Sequence, residues 1–116
     1  MIVIVSSNAA ERSAFAALCD SRGWASVACD SIRAAKKSFQ QLQPAVVLMR
    51  HKLRDGYSDD VMIMLAASES LPAVKVIVLL GAGSSSAQSA RQIALGVDSV
   101  QTFGDKQTKA LTLPGA

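Results

Sequence analysis

Short apolar runs alternate with amphipathic stretches along this chain, and the alternation predicts its secondary structure. Runs of β-branched and aliphatic residues, typical of strands buried on both faces, occupy residues 2–5, 45–49 and 74–80. Weaker strand signals lie at 24–28 and 97–103. Between these runs, apolar residues recur at helical spacing, which predicts helices over about 9–22, 32–42, 58–70 and 87–95.

Polar residues and a glycine mark where the first two helices begin and end. Asn8 and Glu11 have the N-cap-to-N3 spacing of a capping box. Gly23 follows the last turn of the same helix, where a residue with positive φ is needed. Asp30 or Ser31 can cap the second helix.

The order of the elements predicts the fold class. Buried strands joined by helices form a parallel sheet with helices on both faces, and right-handed crossovers leave few topologies. We expect an α/β protein with a doubly wound, five-stranded parallel sheet in three α/β/α layers, a (βα)5 chain with a short or truncated last helix. The 116 residues suit one domain over 1–104, and 105–116 would be a short last helix, a tail or the start of a linker to an output domain.

Composition narrows the class of protein. Half of the residues are apolar and the net charge is only +3, which excludes an intrinsically disordered chain. The basic residues are spread along the sequence, apart from Arg50, Lys52 and Arg54 around His51. This mild excess of basic over acidic residues favours weak attraction to anions. Because the sequence has neither a basic stripe nor a known nucleic-acid-binding motif, we expect no direct binding of nucleic acid.

Cysteine usage and hydropathy indicate a compartment. Cys19 and Cys29 lack metal-ligand spacing, so we expect two buried, reduced thiols and no zinc site. The sequence begins without a signal-peptide pattern, and its apolar runs are far shorter than the roughly 20 residues that cross a bilayer. We therefore expect a cytoplasmic protein that does not enter a membrane.

Four segments, taken in their order, point to one family. The first is IVIV at 2–5, which precedes two small polar residues and a helix containing Arg12. The second is QPAVVLM at 43–49, in the place of that family's Pro-Asp-apolar third strand, and the third is VKVIVLL at 74–80, in the place of its fourth strand. The fourth is ALGVDSV at 94–100, which is similar to the family's A-x-G-A-D-D-Y segment. Over residues 1–104 the chain thus resembles the response-regulator receiver domain, the flavodoxin-like (CheY-like) module of two-component signalling. The resemblance implies this fold, a signalling role without enzymatic activity, and protein partners.

The residues that carry phosphoryl chemistry in that family are replaced here. Ser6 and Ser7 stand where the family has the acidic pair that binds magnesium, and Arg50 stands six residues after the proline, in place of the phosphorylated aspartate. Leu80 occupies the place of the hydroxyl residue after the fourth strand, and Phe103 that of the lysine after the fifth. Serine hydroxyls do not replace carboxylates as magnesium ligands, and a guanidinium is a poor nucleophile. The resemblance therefore implies a pseudo-receiver without a metal or other cofactor.

Several of these positions admit two interpretations. Arg50, with Ser6 and Ser7, could contact an anion at the sheet edge, or Arg50 could pair with a nearby carboxylate or point to solvent. His51 could be a phosphohistidine or a base, but a solvated histidine in a polar loop over 50–57 is the better prediction, because no orienting partner or nucleophile is evident. The acidic residues in and just after this loop could be an acceptor or metal cluster, or they could simply favour a helix start. They are Asp55, Asp59 and Asp60.

A partner surface is the remaining candidate site. In receivers the face made by the fourth helix, fifth strand and fifth helix is the usual output and dimer surface, and its counterparts here are Ala87, Arg91, Leu95, Val100, Phe103 and Lys106. This set is small, apolar and mildly basic, which suits a contact with a protein partner or a homodimer more than one with nucleic acid. The leading hypothesis is a phosphorylation-independent docking module; the alternatives are an anion sensor around Arg50 with the loop at 81–86, and, with least support, a flavodoxin-like enzyme.

Overall fold

The computed structural model describes residues 1–67, 74–81 and 99–103. The predicted helix over 87–95, the residues after 67 in the predicted third helix, and the last segment over 105–116 lie outside these ranges. The elements in chain order are β1 (Ile2–Val5), α1 (Ala9–Ser21), β2 (Ser26–Cys29), α2 (Ile32–Gln41), β3 (Val46–Arg50), β4 (Lys52–Leu53), β5 (Gly56–Tyr57), α3 (Ser58–Ala67), β6 (Lys75–Gly81) and β7 (Ser99–Phe103).

Five of the strands form one parallel sheet in the order β2-β1-β3-β6-β7. The predicted α/β class and doubly wound topology are therefore confirmed. From β1 the chain builds one strand outward as β2 and then returns to add β3 on the other side of β1. The carboxyl ends of β1 and β3 consequently border the point where the strand order reverses, which is where open α/β sheets form their ligand crevice.

Both faces of the three central strands β1, β3 and β6 are buried, as their apolar runs predict. Alternate side chains of β1, β3 and β6 pack on α1, and their neighbours pack on α2 and α3. All four residues of β1 are 0% exposed. The cluster on the α1 side contains Ile2, Ile4, Phe15, Cys19, Val46, Leu48, Ile77 and Leu79. The sheet is thus the middle layer of a three-layer packing, in which period-two alternation divides each strand between two cores.

The cysteines behave as buried aliphatic residues. Cys19 and Cys29 are both free and buried, as predicted. Burial raises the pKa of the Cys19 thiol, and the charge of Asp20 adds to the effect. A thiol kept protonated in this way is a poor nucleophile.

The predicted capping box at the start of α1 forms only in part. Asn8 caps the helix by accepting a hydrogen bond from the backbone N–H of Glu11 at 3.1 Å. The return bond is different, because the backbone N–H of Asn8 donates to the hydroxyl of Ser6 at 3.2 Å. The Glu11 carboxylate is therefore not used as a cap, and the prediction was wrong about its role.

The other end of α1 closes as predicted. Gly23 has a φ of 72°. Its N–H donates to the carbonyl of Asp20 at 3.0 Å, and the N–H of Trp24 donates to the carbonyl of Cys19 at 2.9 Å. These two bonds form a Schellman motif, which satisfies the last helical carbonyls and turns the chain toward β2.

The polar stretch after β3 is a small β-hairpin rather than the predicted loop. β4 and β5 pair antiparallel, with Lys52 opposite Tyr57 and Leu53 opposite Gly56. Leu53 is 5% exposed and belongs to the core beneath α2 and α3. Leu53 thus provides the apolar contact that packs the hairpin on the domain.

Asp55 joins this hairpin to α2, whose N-cap is Ser31. Its two carboxylate oxygens accept hydrogen bonds from the backbone N–H groups of Ile32 at 2.9 Å and Arg33 at 3.1 Å. The first of these bonds is the main reason that the pKa of Asp55 is lowered. Asp55 was predicted to belong to the start of the third helix, and it binds the start of the second.

Within the described ranges, no helix is both long and apolar enough to cross a membrane.

Candidate functional site

The candidate site lies at the carboxyl edge of the sheet, beside the strand-order reversal. Ser6 and Ser7 directly follow β1, and Arg50 is the last residue of β3. β1 and β3 are hydrogen-bonded neighbours, with Val5 opposite Met49. The topology therefore brings these sequence-predicted residues to one edge.

An ion pair between Arg50 and Glu11 occupies this edge. Nε of Arg50 lies 3.0 Å from Oε1 and 2.9 Å from Oε2 of Glu11, and Nη2 lies 2.5 Å from Oε2. The two side chains are 20% and 11% exposed. One edge of the guanidinium thus meets the carboxylate, in a geometry that strengthens charge-assisted hydrogen bonds. Of the two interpretations of Arg50, pairing with a nearby carboxylate is the one observed.

Ser6, the residue after β1, also contacts the Glu11 carboxylate. It is 1% exposed, and its hydroxyl donates to Oε1 of Glu11 at 2.9 Å while accepting from the N–H of Asn8. Nη1 of Arg12 donates to the Ser6 carbonyl at 2.8 Å. The Ser6 hydroxyl, just after β1, and the Arg50 guanidinium, at the end of β3, therefore both donate to a single carboxylate supplied by the first turn of α1.

Ser7 belongs to a separate set of contacts. Its hydroxyl donates to the carbonyl of Asp30 at 3.0 Å and accepts from the backbone N–H of Arg54 at 2.7 Å. Nη1 of Arg54 also pairs with the Asp30 carboxylate at 3.0 Å. Ser7 thus ties the hairpin to the end of β2, and it does not contribute to the group around Arg50.

The two remaining pocket positions lie on β6 and β7. Leu80 is 1% exposed and packs in the core on the α2 and α3 side. Phe103 ends β7, where its backbone is paired with Gly81, and Val100 of the same strand is opposite Val78. The other predicted partner-surface residues, Ala87, Arg91, Leu95 and Lys106, lie outside the described residues.

His51 is part of a packed cluster, so the prediction of a solvated loop histidine was wrong. Its Nδ1 lies 2.8 Å from the hydroxyl of Ser58 and 3.7 Å from Oδ1 of Asp59, and its ring is 5.3 Å from that of Tyr57. The side chain is 21% exposed. The backbone N–H of His51 donates to the carbonyl of Leu79 at 2.9 Å. These contacts join β3, β6 and α3, which is a structural role.

The residues present do not fit the magnesium site that the receiver resemblance brings with it. The edge holds a serine hydroxyl and a fixed cation, and the carboxylate that is there is already paired with that cation. Magnesium requires oxygen ligands in an octahedral shell and is repelled by a neighbouring guanidinium. In the described part of the chain, no group of three or more His, Cys, Asp or Glu residues is arranged to hold a metal ion.

Sequence reasoning missed Glu11 as a site residue. Its spacing from Asn8 suggested a local cap, whereas its partner lies 39 positions away. One signal was available: an arginine at the end of a buried strand needs a compensating anion. Glu11, in the first turn after the neighbouring strand, is well placed to supply it.

No protein-family model and no curated protein matches the sequence. Solved structures do match. A response regulator receiver protein from Pseudomonas putida is 22% identical, with a TM-score of 0.78 over 87% of this chain and 83% of that chain. The chemotaxis response regulator CheY4 of Vibrio cholerae is 11% identical, with a TM-score of 0.82 over 94% of this chain and 92% of that chain.

A third match is a response regulator protein from Burkholderia pseudomallei with a phosphorylated aspartic acid, calcium ion and citrate. It is 15% identical, with a TM-score of 0.81 over 94% of this chain and 62% of that chain. The sheet order, the helices on both faces and these superpositions agree, and the chain has the fold of response-regulator receiver domains.

Proposed function

We propose that this chain is an atypical receiver domain, without enzymatic activity, that acts in a two-component-type regulator through protein contacts and independently of aspartyl phosphorylation. The observation that carries the proposal is the Glu11–Arg50 ion pair at the carboxyl edge of β3. It stands where the receiver resemblance calls for a phosphorylated aspartate.

The charges of this group oppose the acceptance of a phosphoryl group at this edge. A phosphoryl acceptor needs a nucleophilic oxygen, and Arg50 offers a protonated guanidinium. Glu11 has a carboxylate, but it accepts hydrogen bonds from Arg50 and from Ser6. A carboxylate paired in this way is both less nucleophilic and less accessible. The ion pair is present without any modification, which suits a domain that keeps one conformation.

The contact with a protein partner is assigned to the face that receivers commonly use for output. In this chain that face includes Val100 and Phe103 on the edge strand β7. A homodimer through the same face is the alternative arrangement. Either contact would use small apolar and basic side chains rather than a phosphate-triggered rearrangement.

A phosphodonor experiment tests the proposal. The purified protein is treated with acetyl phosphate and magnesium, then examined by intact mass and by amide chemical shifts. We expect no phosphoryl adduct and no shift at Ser6 or Arg50. An acid-stable, base-labile adduct would overturn the proposal. A conventional receiver domain, treated in parallel, verifies that the phosphodonor is active.

The alternative of an anion sensor has less support, because Glu11 already occupies one edge of the Arg50 guanidinium. Titration with inorganic phosphate and with nucleotides tests it directly. Saturable shifts around Arg50 in the wild-type protein would favour the sensor. Glu11→Gln is the matched control, since it removes the competing charge and shows whether binding at Arg50 is detectable.

A further inference from the structure

We propose that the outer face of α2 is a docking surface for an acidic segment of a partner protein. This inference rests on the proposed function in one respect, namely that the domain works through a protein contact. It concerns a different surface from the sheet edge and from β7, and the residues that carry it all lie in the described part of the chain.

Helical spacing gathers the basic residues of α2 on one face. Arg33, Lys36, Lys37 and Gln40 are three or four positions apart, and all four are exposed. On the opposite face, Ala35 is 0% exposed within the core. The outer face bears a depression of about 480 Å³ whose lining consists of Ser31, Arg33, Ala34, Lys36, Lys37 and Gln40. It therefore combines three cations with a small apolar side chain, Ala34.

Within the described ranges, the positive charge of this face has no ion-pair partner. α2 contains no acidic residue. Among the described residues, no carboxylate lies within ion-pair distance of Arg33, Lys36 or Lys37. Asp55 binds the first N–H groups of α2 and so occupies the helix N-terminus. What remains is a row of three cations exposed along the helix.

The chemistry of the lining selects the class of partner. Single-stranded nucleic acid is bound by aromatic stacking as well as by cations, and no aromatic side chain lines the depression. Polybasic segments that bind anionic membranes carry clusters of about four to eight Lys or Arg residues, whereas this face has three. The exposed large apolar residues that are described, Met1, Tyr57 and Ile63, do not line it either. Carboxylate side chains of a peptide match both the cations and the small concave floor.

The test is a titration of the full chain with a short glutamate-rich peptide, followed by amide chemical shifts. We expect saturable shifts confined to residues 31–41, and weaker binding as salt is raised, because exposed charges are screened. Arg33→Glu/Lys36→Glu/Lys37→Glu should weaken binding about tenfold or more, since it makes the contacts repulsive. Lys52→Glu reverses one exposed lysine in the hairpin and should change affinity less than about twofold.

Two further controls, a neutral variant and a neutral peptide, make the result decisive. A neutral variant, Arg33→Gln/Lys36→Gln/Lys37→Gln, should also lose binding while its thermal unfolding stays near that of wild type. The same peptide with Gln in place of Glu should not bind. Absence of saturable shifts, equal loss in Lys52→Glu, or binding of single-stranded RNA or anionic vesicles at least as tight as that of the peptide would each overturn the inference. The phosphodonor experiment does not involve α2, so failure here and failure of the proposed function are distinguishable.

Discussion

Glu11→Gln isolates the contribution of the ion pair, because glutamine keeps the shape of the side chain and can still accept a hydrogen bond from Ser6. The Arg50 side chain is 20% exposed, so the variant removes the charge of Glu11 from beside a largely buried guanidinium. Breaking one partner of a fully buried pair costs about 3–5 kcal/mol, whereas an exposed pair contributes about 0–1 kcal/mol. With Glu11 only 11% exposed, the expected loss lies between these limits, at about 2–3 kcal/mol.

Removing the cation should cost less than removing the anion. In Arg50→Met the Glu11 carboxylate remains in the first turn of α1, where the helix dipole favours it, and Ser6 still donates to it. We expect a loss of about 1–2 kcal/mol. The double variant should be more stable than the sum of the single losses predicts, with a coupling free energy of about 1–2 kcal/mol.

Urea unfolding measures these free energies, and the fluorescence of Trp24, the single tryptophan, reports the transition. Thermal unfolding gives a second measure, because a chain of this size loses roughly 3–4 °C in Tm per kcal/mol. A loss below about 0.5 kcal/mol in Glu11→Gln, with no coupling in the double variant, would mean that the pair behaves as a surface contact. That result would refute the conclusion that the Glu11–Arg50 ion pair stabilises the carboxyl edge of the sheet.

Three further predictions concern the turn glycines, α2 and the charge of the edge. Both Gly23, with a φ of 72°, and Gly56, with a φ of 151°, adopt backbone conformations that strain other residues, and a Cβ at Gly23 would meet open space. A Cβ at Gly56 would in addition stand 2.6 Å from Oδ2 of Asp60 and 2.8 Å from Cδ1 of Ile32, so both side chains would have to move. Urea unfolding should therefore show a loss of about 1 kcal/mol in Gly23→Ala and at least about 2 kcal/mol in Gly56→Ala, and equal losses would contradict this. Because the folded-state pKa of Asp55 is lowered, its stabilisation is present above the ordinary pKa and is lost as pH falls through the folded value. Asp55→Asn should thus be less stable by a few tenths to about 1 kcal/mol at pH 7, and a gap that persists in acid would count against the cause given. Arg50→Asp should unfold at a lower urea concentration than Arg50→Asn, because its new carboxylate would face that of Glu11. Millimolar magnesium should reduce this difference in urea midpoint, because the cation can bind between the two carboxylates. A higher midpoint for Arg50→Asp would show that the two charges do not face each other.

The sheet could be predicted because its signal is local and repeated. β1 consists of apolar residues, and β3 and β6 contain continuous apolar runs at 46–49 and 76–80. A strand buried on both faces needs such a run whatever surrounds it. The end of α1 was equally local, since the positive φ after the last turn favours glycine at position 23.

The site depended on contacts between distant parts of the chain, which local patterns do not specify. Asp55 lies 23 residues from the N–H group of Ile32 that it binds, so its sequence neighbours gave no hint of that partner. The hairpin was missed because each of its strands has two residues, too few to show alternation. His51 gains its partners only when the chain returns from the hairpin into α3.

The Glu11–Arg50 pair also restricts how this domain could change by mutation. A single replacement that restored an acidic residue at the end of β3 would place it against the carboxylate of Glu11. A single loss of that carboxylate would remove the ion-pair partner of Arg50 at this edge. Either single replacement therefore gives a less stable protein, even where the protein with both replacements is stable. Once such a pair is in place, selection for stability alone keeps both partners, so the arrangement would persist over evolutionary time even if nothing bound at this edge.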